Sequence, residues 1–495
     1  MSISFTQIPS TKRLPGAYAE IDSSLAVRGL PGMPHKALII AQRLATGDTA
    51  ANVPYLVTDP EQAARGSGRG SMAHAMALRF RAANDYTETW VVGVDDAGAG
   101  VAAVKTITIG KADAAEDFGA ATLVVRLGGR RIRVAVAADD TEADVATALV
   151  AAATDTTLPG TLAVDGSTAE QINVTAKHKG LAAAEGLDLR TGYLPEETLP
   201  TNMTVTFGET TAGSGDPDIA ATLAAVSGEW WTEIAMPYRD GANYTALHEW
   251  LLERFGATDM RQGHALSASP GTVAALNTWG EGVNSQFITT LPTEGSPTPP
   301  YEIAASYAGI AAYQLSIDPA RQLRTLALPG VLTPQATTEF TSSERELLLF
   351  SGISAVDMAG GSFRLSRCIT NYQLSPLGAE DTAYLDLTTM TTLRYIRWAL
   401  INRIELRYPR HKLAKSGTNF APGQAVATPE TIKGEIIGLY DELERAGLVE
   451  DKEFFVERLI VERDDGGDPN RINALLTPDI INNFRIFASK IQFAL

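Results

Sequence analysis

The chain has 495 residues, 45% of them apolar and 20% charged, and at ~150 residues per domain that length allows two to four domains. Acids outnumber bases 58 to 41, and the resulting net charge of −17 excludes a uniformly basic nucleic-acid binder. The single cysteine, Cys368, excludes an internal disulfide and every cysteine-based zinc pattern, as expected of a fold built in a reducing compartment.

Residues 1–30 read as an arm. Ile3, Phe5 and Ile8 stand among polar neighbours, and Pro9, Pro15, Gly16 and Gly29 break the segment. Such a terminus is either a tail or a strand that pairs with something else. It has no apolar run of secretory-leader length, and no later run reaches the ~20 residues that span a bilayer. Synthesis without an export signal is therefore expected. From residue 36 the texture changes: KALIIAQRLA (36–45) is a buried-strand run, GSGRGSMAHAMALRFRAAND (66–85) a glycine-rich turn entering a helix, and TWVVGV (89–94) an apolar strand. Strand, helix, strand at this spacing predicts a parallel pairing.

Between about 101 and 210 the composition shifts to Ala, Thr, Gly, Val and Asp. VKTITIG (104–110), TLVVRLGG (122–129) and RIRVAVAA (131–138) alternate as strands, with Gly128–Gly129 suited to a tight hairpin. TEADVATALVAAAT (141–154) predicts a helix capped by Thr141 with Asp144 three residues on, and TLAVDG (161–166) and QINVTAKH (171–178) add strands. The α/β texture returns with EWWTEIAMPY (229–238) as a strand, a helix over 243–257 stopped by Gly256, QFITTLP (286–292) and YEIAASYAGIAAYQLS (301–316). A long helix from Leu385 to about Tyr408 closes at Pro409, and another runs from Pro429 to Ala446. FFVERLIVER (454–463) alternates as a strand, followed by the turn DDGGDPN, RINALL and a final extended segment, NNFRIFASKIQFAL.

Motifs for chemistry are missing. Of the six histidines, His35, His74, His178, His248, His264 and His411, no two lie three or four residues apart, so no helical metal clamp exists. No G-x-S-x-G elbow marks a nucleophile, although a Ser–His–Asp triad converges only in three dimensions and counting cannot exclude one. Gly66-Ser67-Gly68-Arg69-Gly70-Ser71 lacks the Gly-Lys-Ser/Thr ending of a phosphate loop, and DDGGDPN lacks the spacing of a calcium loop; both read as turns.

Two features stand out. Residues 386–415 carry Arg394, Arg397, Arg403, Arg407, Arg410, Lys412 and Lys415 against Asp386 and Glu405. This reads either as a solvated helix with a basic C-terminal end or as a docking face for an acidic protein partner. The last twelve residues hold Phe484, Ile486, Phe487, Ile491, Phe493 and Leu495. They either dock into their own sheet or leave to extend a neighbour's, as the Ile3–Ile8 arm would, with the hairpin bearing Phe455, Val456, Leu459 and Val461 as the acceptor edge. Head-to-tail exchange of that kind generates rings or helical polymers.

Four stretches resemble the contractile tail sheath proteins of Mu-like phages: ISFTQIPSTKRLPGAYAEID, GSMAHAMALRFRAAND, RIRVAVAADDTEADVATAL and DDGGDPNRINALLTPDIINNFRIFASKIQF. The resemblance implies a multidomain α/β and α+β chain. A central α/β domain of subtilisin-like topology (31–100 and 211–375) would carry an inserted peripheral α+β domain (101–210). A tube-facing C-terminal α+β domain (376–495) would end in an exchange strand at about 484–495, and the basic residues of 386–415 would face the tube. It implies no enzymatic activity and no cofactor. The implied partners are further copies in stacked hexameric rings, the tail tube protein, and baseplate and terminator proteins, in a virion tail assembled in the host cytoplasm and contracting to drive genome ejection. Membrane insertion and direct nucleic-acid contact are not implied. An α/β hydrolase with a triad hidden by spacing, and the sheath of a phage-derived injection machine, are the alternatives.

Overall fold

The computed structural model describes Gly16, residues 30–421 and residues 423–494. The described residues form two compact units, one of 34–395 with 482–494, the other of 30–33 with 396–481; the division falls within the helix Leu387–Arg407.

The larger unit is built on a six-stranded sheet. Five parallel strands lie in the order Ile288–Pro292, His264–Ser269, Glu233–Ala235, Lys36–Gln42 and Glu88–Val94, and the short strand Pro54–Leu56 closes one edge antiparallel. The parallel strands are buried almost throughout without alternation, as parallel sheets covered by helices are; Leu38, Ile39, Val91, Ile234 and Leu291 are all buried. The expected parallel pairing of residues 36–42 with 88–94 is in register over the whole length of both strands. Of 229–238 only Glu233–Ala235 is strand. The helix Pro300–Ile317 is buried along most of its length and crosses the helix Met72–Ala83 closely at Gly309, where a Cβ would meet the Phe80 carbonyl at 2.8 Å.

Residues 104–211 form two further sheets. One is antiparallel, in the order Met203–Thr211, Val104–Lys111, Gln171–Ala176, Gly160–Val164; the other joins Arg130–Val136, Ala121–Leu127 and Leu189–Arg190. Gly128 and Gly129, both at positive φ, make the hairpin between Ala121–Leu127 and Arg130–Val136, and Thr141 with Asp144 forms a reciprocal cap on the helix Glu142–Ala152. Ile107, Leu123, Val125, Ile132, Val145, Leu149, Ile172 and Val174 close a core of their own.

In the smaller unit the helix Pro429–Arg445 buries Ile432, Ile436, Leu439, Tyr440 and Leu443. The run 454–463 is not one strand. It is the helix Lys452–Arg458 followed by the strand Ile460–Arg463. Asp451 caps that helix by accepting the Phe454 N–H at 3.0 Å, and its buried residues, Phe455 and Leu459, stand four apart, which is helical spacing. Phe455 stacks on Tyr440 with ring centroids 3.9 Å apart.

Candidate assembly surfaces

The terminal segment is the most exposed apolar stretch described. Phe484, Ile486, Phe487, Ile491 and Phe493 are each 76–88% exposed, and no strand pairing among the described residues involves 482–494. Its root is held to the larger unit: Asn483 Nδ2 donates to Thr388 Oγ1 at 2.9 Å, Gln322 Nε2 donates to the Phe484 carbonyl at 3.0 Å, and Arg485 pairs with Asp386 at 2.6 Å. Beyond Arg485 the chain carries its side chains into solvent. The arm residues Ile3, Phe5 and Ile8, with Pro9, Pro15 and Gly29, lie outside the described residues.

The hairpin expected to accept such a strand is shorter than its sequence suggested. Ile460–Arg463 pairs antiparallel with Ile472–Leu475 as a two-stranded ribbon, with Ile460 and Leu475 exposed. Val461 lies in it. Phe455 and Val456 do not, since they belong to the preceding helix, and Leu459 is that helix's buried C-cap.

The basic run divides. Arg394 is not a surface charge: it is 2% exposed, its Nη2 lies 2.6 Å from Glu233 Oε1, and its Nη1 donates to the Thr232 carbonyl at 2.8 Å. Glu233 is buried too. Burial alone would raise its carboxyl, but the Arg394 guanidinium outweighs it, with His35 and Thr232 helping, and holds the group well below the usual carboxylate range. Arg403 pairs with Glu435 at 3.0 Å and Glu442 at 2.8 Å, and Arg407 with Glu435 at 2.6 Å. Lys415 reaches Asp465 at 3.2 Å from an exposed position. Arg397 is half-buried, and burial lowers its affinity for a proton. Arg410 and Lys412 are exposed. The sequence signal for this neutralisation was the helix 429–445, whose Glu435 and Glu442 recur seven residues apart on one face.

A hydrolase constellation does not assemble around the histidine with the best-placed acid. His178 Nδ1 lies 3.0 Å from Asp96 Oδ1, but its Nε2 accepts the Met72 backbone N–H at 3.1 Å, where a triad would need a serine. Among the described residues no cluster of three His, Cys, Asp or Glu is placed to hold a metal, and no helix is long and apolar enough to cross a membrane.

Residues 212–371 match the phage tail sheath protein central domain, and residues 379–494 match the phage tail sheath C-terminal domain. Over 501 aligned positions, covering 100% of both chains, the sequence is 37% identical to the Mu-like prophage FluMu tail sheath protein of Haemophilus influenzae. The chain belongs to the phage tail sheath family. Its role is therefore structural and not enzymatic, and the virion tail is its place. Solved sheath tail proteins from Desulfitobacterium hafniense and Listeria innocua are each 12% identical to this sheath chain. The first has a TM-score of 0.47 and covers 94% of this chain and 100% of its own; the second has 0.49, with 93% and 95%. The contracted helical sheath of the anti-feeding prophage is 11% identical, with a TM-score of 0.46 over 97% of this chain and 99% of that one.

Proposed function

We propose that this sheath subunit polymerises as stacked hexameric rings around a tail tube, by lending its terminal segment to a neighbour, and that the lattice contracts to drive the tube through the host envelope. The observation that carries this is the exposed apolar run Phe484, Ile486, Phe487, Ile491, Phe493, which a folded body leaves unburied only at a cost in water. The ribbon Ile460–Arg463/Ile472–Leu475 offers a short edge, with Val461 and the exposed Ile460 and Leu475 as its apolar contacts. Ile3, Phe5 and Ile8 are assigned the same exporting role at the other end of the chain.

Contraction on this reading needs no nucleotide. Subunit bodies rotate and repack into a wider lattice with more buried interface, while the lent segments keep neighbours joined. Arg410 and Lys412, with Arg397 and the partly engaged Arg403, Arg407 and Lys415, are assigned to the tube side, where exposed charge pairs are weak enough to break. The tail tube, baseplate and terminator proteins are the partners, and assembly takes place in the cytoplasm of the host bacterium.

Ending the chain after Arg485 keeps the strand pairing of Val449–Glu450 with Asp479–Ile480 and the root contacts of Asn483 and Arg485, and removes Ile486, Phe487, Ile491 and Phe493 from the exported run. Negative-stain imaging should then show soluble subunits where the full chain forms tubes or rings. Polymers of normal length from the truncated chain would rule out this linkage, and removal of residues 1–10 tests the other end in the same way.

A further inference from the structure

In the glycine-rich turn that superficially suggests a phosphate loop, the Gly70, Ser71 and Met72 amides are already taken. Gly66 and Ser67 finish the helix Pro60–Ser67, and Gly68–Ser71 make the turn into the helix Met72–Ala83. The Gly70 N–H donates to His74 Nδ1 at 3.0 Å, and the Met72 N–H donates to His178 Nε2 at 3.1 Å. Ser71 Oγ accepts the His74 N–H at 3.1 Å as the cap. Both rings are buried, His74 at 2% exposure and His178 at 4%. A backbone amide can only donate, so each accepting ring nitrogen must be free of its proton, and both rings are neutral in this arrangement.

The same turn joins the inserted module to the central body. A Cβ on Gly70, which has φ +80°, would lie 2.0 Å from the Thr156 carbonyl of the insert. His178 itself follows the insert's strand Gln171–Ala176, while Asp96 follows the central strand Glu88–Val94. Asp96 Oδ1 also accepts from Gln42 Nε2 at 2.8 Å, and its Oδ2 accepts the Lys179 N–H at 3.1 Å.

We propose that this pair of neutral histidines is a proton-sensitive joint, and that proton uptake by His74 and His178 opens the contact between the inserted module and the central body. A proton on His178 Nε2 would face the Met72 N–H donor to donor, and a proton on His74 Nδ1 would face the Gly70 N–H in the same way. The charged groups around the joint pull in both directions. Asp96 Oδ1 lies 3.0 Å from His178 Nδ1. Around His74, burial is the main force against charge, with Arg69, Lys177 and Arg130 adding to it and Glu61 opposing. Lys177 and Lys179 flank His178 in the chain, Asp155 acts on Lys177, and the Tyr301 ring lines the same small cavity as His178 and Lys177. A proton therefore enters only as the amide contacts part. Because His74 is held below its ordinary value, the stability this joint gives is present above the unfolded imidazole range of ~6.5 and is lost as pH falls through it.

Hydrogen exchange of the full chain from pH 7.5 to 5.0, corrected for intrinsic rates, tests this. The opening constant of peptides over 68–76 should rise by up to ~10-fold per pH unit for each proton taken up, while the buried strand 36–42 stays flat. In H74N/H178Q the amide oxygens stand where Nδ1 and Nε2 stood and accept without titrating, so protection should persist and the pH slope should vanish. An unchanged slope in that variant, or a flat wild-type profile, overturns the proposal. Should the variant not fold, histidine-selective 15N spectra of the wild-type chain decide: the two rings must charge at the pH where the joint opens, and charging with full protection retained would overturn it.

Discussion

Replacing Arg394 by alanine should destabilise the larger unit rather than weaken its contacts with partners. The guanidinium is 2% exposed and Glu233 is 1% exposed, and each is the other's principal compensation. Removing one member of such a pair strands a buried charge, which costs ~3–5 kcal/mol, a large part of the ~5–15 kcal/mol that holds a domain folded. His264 stands nearby with neither ring nitrogen hydrogen-bonded, and burial and then the Arg394 charge push its pKa down to about 3 in the wild type. The pH dependence should invert. In the wild type, Glu233 is depressed, so its contribution is present above ~4.3 and fades as pH falls below that. In R394A, burial dominates and raises the carboxyl, so the variant should be least stable at neutral pH and recover as pH falls towards 4.5. Urea unfolding followed by circular dichroism at pH 7.5 and 4.5 measures both effects. The companion R394M/E233Q, with both charges gone, should regain most of the loss, since well-packed neutral replacements of buried pairs are often close to neutral in stability. A loss in R394A below ~1 kcal/mol at pH 7.5, or a loss that deepens on acidification, would refute the reasoning.

Charge reversal at Arg410 and Lys412, both exposed, should leave unfolding within ~0.5 kcal/mol of wild type and lower the yield of sheath assembled on purified tubes; unchanged tube-templated assembly removes these two from the tube side. Phe455→Ala should destabilise the smaller unit by ~3–5 kcal/mol through loss of the Tyr440 stack and the cavity left behind, read as earlier exchange of the helix 429–445; an effect under ~1 kcal/mol contradicts its place in that core.

Much of the fold was legible because local signals and burial agreed. Lys36–Gln42 and Glu88–Val94 are apolar on both faces, and that alone implies a covered parallel sheet. Gly128–Gly129 and the Thr141/Asp144 cap could be read at single-residue resolution because their geometry is set within four residues. Residues 454–463 misled because the stretch joins two short elements. Its apolar positions fit a period of two as well as one of four, and only the distant Tyr440 ring decides that Phe455 faces inward along a helix. Arg394 misled for a related reason. Composition counts a charge, whereas burial depends on Glu233, 161 residues away in the chain. The exposed terminal run was visible as composition, but whether it paired with its own sheet needed coordinates.

On the proposed function, the reassigned charges weigh unequally on the two forces offered for assembly. With Arg394 buried, Arg403 and Arg407 engaged by Glu435 and Glu442, and Lys415 by Asp465, the basic run has little left to give a partner beyond Arg410 and Lys412. Exposed pairs of that kind are worth ~0–1 kcal/mol each and fade with salt, whereas burying one large apolar side chain is worth ~1.5–3 kcal/mol. Five such side chains stand exposed on the terminal run. Cohesion between subunits should therefore persist in high salt, and attachment to the tube should be the part that salt releases. A lattice bonded strongly to itself and weakly to its core can change its own diameter while the tube slides free, and the proposed function places those two strengths on different segments of the chain.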